Sequence, residues 1–268
     1  MASSSCDIIN REEGTPAYIE VDTIKLSTLS YIQGPNNHKI NDVWISVNGD
    51  FIGVFELPAE IPVLHEGSST IFLQAGIKNN GIAASRVRYP FYSNVQIDTV
   101  LSPANTLVLS PTVHYLTETV FDWNENFEDP GISIDTTSLS DVGISNITAN
   151  GSTVASVVLE GDLGNFQARS VSQYEFPAPS TPLYFEMDYY CDHEFVVGLY
   201  IIQSGSVANQ AVIQLHPTNE WNKIYIDLTY ISTINYTADN YSVYFAASKA
   251  DSVDRAKIMF DNVKLVRF

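Results

Sequence analysis

Val43-Trp44-Ile45-Ser46-Val47-Asn48-Gly49-Asp50-Phe51-Ile52-Gly53-Val54-Phe55 is the stretch that decides the fold. Two β-rich runs flank Asn-Gly, the pair that supplies the positive φ values a tight hairpin needs. Upstream, Ile19 and Val21 alternate with Glu20 and Asp22 and lead to Ile24 and Leu26, and Gly34-Pro35-Asn36-Asn37 punctuates a turn. Downstream, Pro58 and Pro62 belong to loops or edge strands, residues 70–75 read as another strand, and Ser102-Pro103-Ala104-Asn105 turns between closing strands spread over 95–113. The chain is predicted to be all-β.

Composition agrees. The chain is 45% hydrophobic and 16% charged, with 15 Tyr and 13 Phe, residues that suit half-buried pleated strands. Its 268 residues fit two domains better than one small sandwich. A formal charge of -18 repels phosphate backbones, so nucleic acid is excluded as a partner. No run approaches the apolar length of a membrane helix. Two cysteines cannot form a disulfide framework.

From Val120 onward the strands lengthen. Nine are predicted, over 120–127, 154–160, 166–171, 183–191, 196–203, 211–215, 223–228, 241–248 and 256–266, enough for a jelly roll. In 223–228, Ile224, Ile226 and Leu228 point one way and Lys223, Tyr225 and Asp227 the other. In the last strand Ile258 and Phe260 fall on opposite parity to Val263 and Leu265, which a bulge at Asp261-Asn262 would reconcile. With a boundary near Thr117, the expected division is a flexible tether over 1–15, a small sandwich over 16–117 and a jelly roll over 118–268.

Four resemblances add to this reading. The hairpin with its Val-Asn-Gly-x-x-Ile-Gly pattern, the turn at 64–67 and the strand at 70–75 resemble the PEGA-type, immunoglobulin-like sandwich. Phe55-Glu56-Leu57-Pro58-Ala59 and Arg88-Tyr89-Pro90-Phe91-Tyr92 look like segments of Bacteroidota surface lipoproteins. Ser3-Ser4-Ser5-Cys6 resembles the end of a bacterial lipobox, which would make Cys6 a lipidation site and the protein an outer-membrane or cell-surface lipoprotein. Phe121 to Asp129 and the closing Asp261-Asn262-Val263 are similar to galactose-binding-like, carbohydrate-binding jelly rolls. That last resemblance implies a structural Ca2+ on Glu128 and Asp261; the alternative is that both merely hydrogen-bond strand ends.

Sugar rings stack on exposed aromatics with polar groups reading their hydroxyls. Trp221, Tyr190, Tyr225 and Tyr244 are the candidate aromatics, with Gln167 and Arg169 as polar readers beyond the Gly161–Gly164 turn. Tyr190 and Tyr225 share parity with charged neighbours and are expected to face outward, whereas a Trp placed just before a strand, as Trp221 is, is more often a core plug. The histidines are scattered and no nucleophile elbow occurs. Cys191 shares parity with Phe185, Met187 and Tyr189, which favours a buried inert thiol. Glu186 and Asp188 lie about 7 Å apart on one strand face, a glycosidase-like spacing too common to be informative. The expectation is a non-enzymatic surface lipoprotein whose jelly roll binds glycan, the alternative being a structural subunit docked to an outer-membrane or secretion complex.

Overall fold

The computed structural model describes residues 14–268 and is built almost wholly of strands. The proposed lipidation site at Cys6 lies outside the described residues. The chain forms two compact units. The first comprises the chain up to Lys25 with Ile40–Gly76 and Tyr92–Val113; the second comprises Leu26–Lys39, Ile77–Phe91 and His114–Phe268. Where the sequence suggests two successive blocks, the units are interleaved.

In the first unit the hairpin forms as read. Strands Asp42–Val47 and Asp50–Glu56 meet at Asn48 (φ 52°) and Gly49 (φ 90°), and Asn48 Oδ1 accepts the Thr70 N–H at 2.8 Å. Gly67–Lys78 pairs with Asp42–Val47 and with Val95–Leu101. A second sheet orders Ala59–Val63, Ala17–Val21 and Thr106–Leu109. Pro62 sits on the edge strand of that sheet, where its missing N–H leaves no ladder bond unmade. Ile19, Val43, Ile45, Ile61, Ile71 and Leu73 are buried in this unit.

The second unit is a jelly-roll sandwich. One sheet orders Ser145–Ala149, Ser152–Glu160, Arg255–Arg267, Leu183–Cys191 and Asn222–Asp227, with Val120–Glu125 also pairing with Arg255–Arg267. The facing sheet orders Ile134–Thr136, Asn165–Ser170, Asn240–Ser248, Phe195–Gln203 and Ser206–Leu215. Between them lies a core that includes Phe166, Phe185, Phe195, Phe245 and Phe260, with Phe245 and Phe260 stacked across it at 4.8 Å and 8°.

All nine predicted strands are present. Sequence reading missed Ile134–Thr136 and Ser145–Ala149, which are short and polar. The second could have been found, because Asn150 (φ 52°) and Gly151 (φ 81°) repeat the Asn-Gly hairpin chemistry of Asn48-Gly49. The bulge read from broken parity is there: the register against Leu183–Cys191 shifts between Glu186 and Asp188, and Asn262 adopts φ 52°. It allows one strand to place Ile258, Phe260, Val263 and Leu265 in the same core.

Candidate functional site

The second sheet of the jelly roll has an outer face set by strand parity. In Asn240–Ser248, Tyr241, Val243 and Phe245 enter the core, so Tyr244 and Ala246 point away; in Phe195–Gln203 the outward set is Val196, Gly198, Tyr200 and Ile202. Asn165–Ser170 adds Gln167 and Arg169, the latter directly opposite Tyr244, which in turn pairs with Gly198.

Gly198 is what lets the aromatics lie down. A Cβ there would come within 2.4 Å of the Tyr244 ring and 2.6 Å of the Gln210 carbonyl, so only glycine allows the ring to rest on the sheet. Tyr200 then packs against Tyr244 in a tilted pair, with ring centroids 4.8 Å apart and 38° between planes. Burial lifts the Tyr200 hydroxyl above the usual phenol range while the Arg169 guanidinium opposes it. Tyr244 is only 3% exposed, so it acts as a support, and Tyr200 is the ring that solvent can reach. Sequence reading missed Tyr200, although its alternation with Leu199 and Ile201 carries the signal.

Farther along these strands a cavity of about 680 Å³ opens, lined by Gln167, Val196, Gln214, Ala246, His193 and Glu194 among others, with neither Tyr200 nor Tyr244 in its wall. Its polar groups are held in place. Thr137 Oγ1 donates to Gln167 Oε1 at 2.7 Å, Glu194 accepts from His216 Nδ1 at 2.8 Å and from the Gln214 amide, and His193 Nε2 lies 3.1 Å from the Ser248 carbonyl. The Gly161 turn (φ 59°) shapes a loop but adds no group to the cavity.

The outer face of the first sheet is different. Tyr225 has the outward parity expected of it yet is 1% exposed, because segments 26–39 and 77–91 of the same unit lie over that face; its hydroxyl accepts the Lys39 N–H at 3.1 Å. Tyr225 is therefore corrected from a ligand-facing ring to a buried one. Around it sits an ionic cluster. Glu186 Oε1 accepts the hydroxyls of Tyr89 and Tyr115 at 2.7 and 2.8 Å, and Oε2 lies 3.1 Å from Lys223 Nζ. Lys223 also lies 3.7 Å from Asp188. Burial alone would raise the Glu186 carboxyl, but Lys223, Lys264 and the two tyrosines hold it below the usual range. Burial likewise disfavours the Lys223 charge, and Asp188 and Glu186 outweigh it, so its ammonium titrates above the ordinary lysine value. Lys264, wholly buried, is pushed down to about 8 by burial. Both carboxylates with glycosidase-like spacing are thus committed to structural partners.

Tyr190 and Trp221 remain half-buried with ring centroids 6.4 Å apart, and Trp221 lines a separate cavity of about 250 Å³. Cys191 is buried, donates to the His216 carbonyl at 3.3 Å and is raised to about 11 by burial, as expected of an inert thiol.

Glu128 and Asp261 do face one cavity, of about 300 Å³. Glu128 accepts the Thr153 N–H at 2.8 Å and its hydroxyl at 3.0 Å; Asp261 accepts the Ser152 hydroxyl at 2.8 Å and the Asn262 N–H at 2.7 Å. Among the described residues no group of three or more His, Cys, Asp or Glu is placed to hold a metal ion. The donors are all oxygens, the kind calcium takes, but each carboxylate already serves as a strand-end acceptor, the alternative left open by the sequence. Burial, with the charges of Asp188 and Glu128, lifts Asp261 to about 6. A raised acid binds its proton more readily folded than unfolded, so this group adds stability as pH falls from above 6 towards its ordinary value of 3.8. The difference in unfolding free energy between wild type and Asp261→Asn is therefore expected to change by up to about 3 kcal/mol between pH 4 and 7, in favour of the variant at the higher pH, as read by urea midpoints.

Fold and face together define a β-sandwich with a pair of tyrosines on the outer face of one sheet. Similar solved structures are a carbohydrate-binding module of family 29 (13% identity, 56% of this chain and 89% of that one, TM-score 0.36) and a xylan-binding domain of family 22 (15%, 55% and 94%, 0.36). A third is a family 28 module specific for non-crystalline cellulose (16%, 53% and 92%, 0.37). No family model matches the sequence, and no curated protein matches it.

Proposed function

We propose that this is a non-catalytic glycan-binding protein whose second unit holds a neutral polysaccharide along the outer face of its second sheet. The observation that supports this best is Tyr200, propped on Tyr244 over Gly198, on the same sheet whose strands line the 680 Å³ cavity farther along. A half-exposed ring offers the apolar face a sugar stacks on, and Gln167, Gln214 and Glu194 offer fixed hydrogen-bonding groups in the cavity farther along the sheet. Arg169 stands opposite Asp135 in register, so the face carries no large net charge, and the overall charge of -18 disfavours acidic polymers.

A glycan array followed by affinity electrophoresis tests the reading. At least one neutral polysaccharide should be retained, and Tyr200→Ala should weaken it roughly 30-fold or more, the effect of losing an aromatic anchor worth about 2 kcal/mol. Retention of no glycan together with a stable co-purifying membrane partner would replace this reading with the docked structural subunit.

The anchoring we propose is through lipidated Cys6 at the cell surface, supported by the Ser3–Cys6 sequence; an unmodified N-terminal peptide from native membranes would refute it. A structural calcium, which would neutralise the crowded carboxylates at Glu128 and Asp261, is expected to raise the melting temperature at pH 7 in wild type and not in Asp261→Asn. Equal melting curves with chelator and with calcium would exclude it.

A further inference from the structure

We propose that the gap in the first sheet at Asp261-Asn262 is the floor of a second ligand site, one that takes a single neutral sugar ring or similar polyol. The strand Arg255–Arg267 changes partner there: Ser152–Glu160 pairs with it as far as Phe260, and Val120–Glu125 takes over from Val263. Over the gap lie two adjoining cavities of about 300 and 250 Å³, which share Asn37 and Asn150 as common wall.

Carboxamides dominate the lining. Asn126, Asn150 and Asn262 face the first cavity, and Asn37 and Asn222 the second. Each carboxamide presents a donor and an acceptor side by side, the pattern that adjacent hydroxyls of a sugar complement. Trp221, packed on Tyr190, supplies an apolar wall at one end. Two carboxamides are pre-set: Asn37 and Asn262 both donate to Asp188 Oδ2, at 2.9 and 2.8 Å, which fixes their orientation.

Charge selects against anions. An anion would meet Asp261 and Glu128 in the first cavity and Asp188 in the second. Size separates this site from the Tyr200 face, since small adjoining chambers of about 300 and 250 Å³ suit a single ring and not a continuous chain. The two sites share no residue, so this inference stands or falls apart from the proposed function.

Amide-resolved NMR of the full chain, titrated in turn with glucose, galactose, mannose, xylose and N-acetylglucosamine, tests it. At least one sugar should shift the Trp221 indole and the Asn37, Asn150 and Asn262 side-chain amides, equally in wild type and Tyr200→Ala. Asn37→Ala combined with Asn150→Gly should weaken that binding at least tenfold; glycine keeps the positive φ at position 150, and a backbone spectrum superimposable on wild type confirms the fold. Absence of any cleft shift with all five sugars, shifts that persist unchanged in the double variant, or shifts produced by calcium chloride and by no sugar would each overturn it.

Discussion

Lys223→Met is expected to destabilise the second unit by about 3–5 kcal/mol, the typical cost of leaving a buried charge uncompensated. Lys223 is the cation between Glu186 at 3.1 Å and Asp188 at 3.7 Å, and the three side chains are 4%, 0% and 8% exposed. For a unit of this size that corresponds to a fall in melting temperature of roughly 6–20 °C. Lys264 would be left as the one ammonium facing both carboxylates, without Lys223 to repel it, and its value of about 8 should move up. Adding Glu186→Gln should recover part of the loss, because the two residues act as a pair; additive losses would show that the ion pair contributes nothing beyond its separate residues. Calorimetry of the two single variants and the double variant settles which.

Gly198→Ala is expected to cost about 3 kcal/mol and to remove glycan retention. The added methyl group meets the Gln210 backbone carbonyl at 2.6 Å as well as the Tyr244 ring at 2.4 Å. The carbonyl cannot swing aside as a flexible side chain would, so strain falls on the pairing of Phe195–Gln203 with Ser206–Leu215. Tyr244 must also lift, which displaces the Tyr200 ring above it. Retention equal to wild type in a folded Gly198→Ala protein would show that the propped geometry of Tyr200 is not what holds the ligand. The effect differs from that of Tyr200→Ala, which should lower binding while leaving the melting temperature nearly unchanged.

Local chemistry was legible in the sequence. Asn48-Gly49 announced a hairpin because its φ requirements are intrinsic to the residues, and broken parity announced the bulge at Asp261-Asn262 because a strand has only two faces. What alternation cannot report is whether the outward face is wet. Tyr225, Glu186 and Asp188 share the outward parity that reading assigned, yet segments 26–39 and 77–91 cover them, and nothing within residues 183–228 encodes that cover. For the same reason the aromatics proposed as one site are divided. Tyr190 and Trp221 belong to a cleft on the first sheet, Tyr244 lies beneath Tyr200 on the second, and Tyr225 is interior.

The strand Arg255–Arg267 has a consequence for how this unit comes into being. It pairs with Val120–Glu125, Ser152–Glu160 and Leu183–Cys191, so three strands made earlier all wait for one that is made after every other strand of the unit. On a ribosome the unit would emerge with its first sheet divided and its apolar inner faces uncovered, able to close only once synthesis has passed residue 267. Pairings over so long a sequence separation make closure slow, and the edges exposed in the interval are open to wrong pairing until this last strand docks.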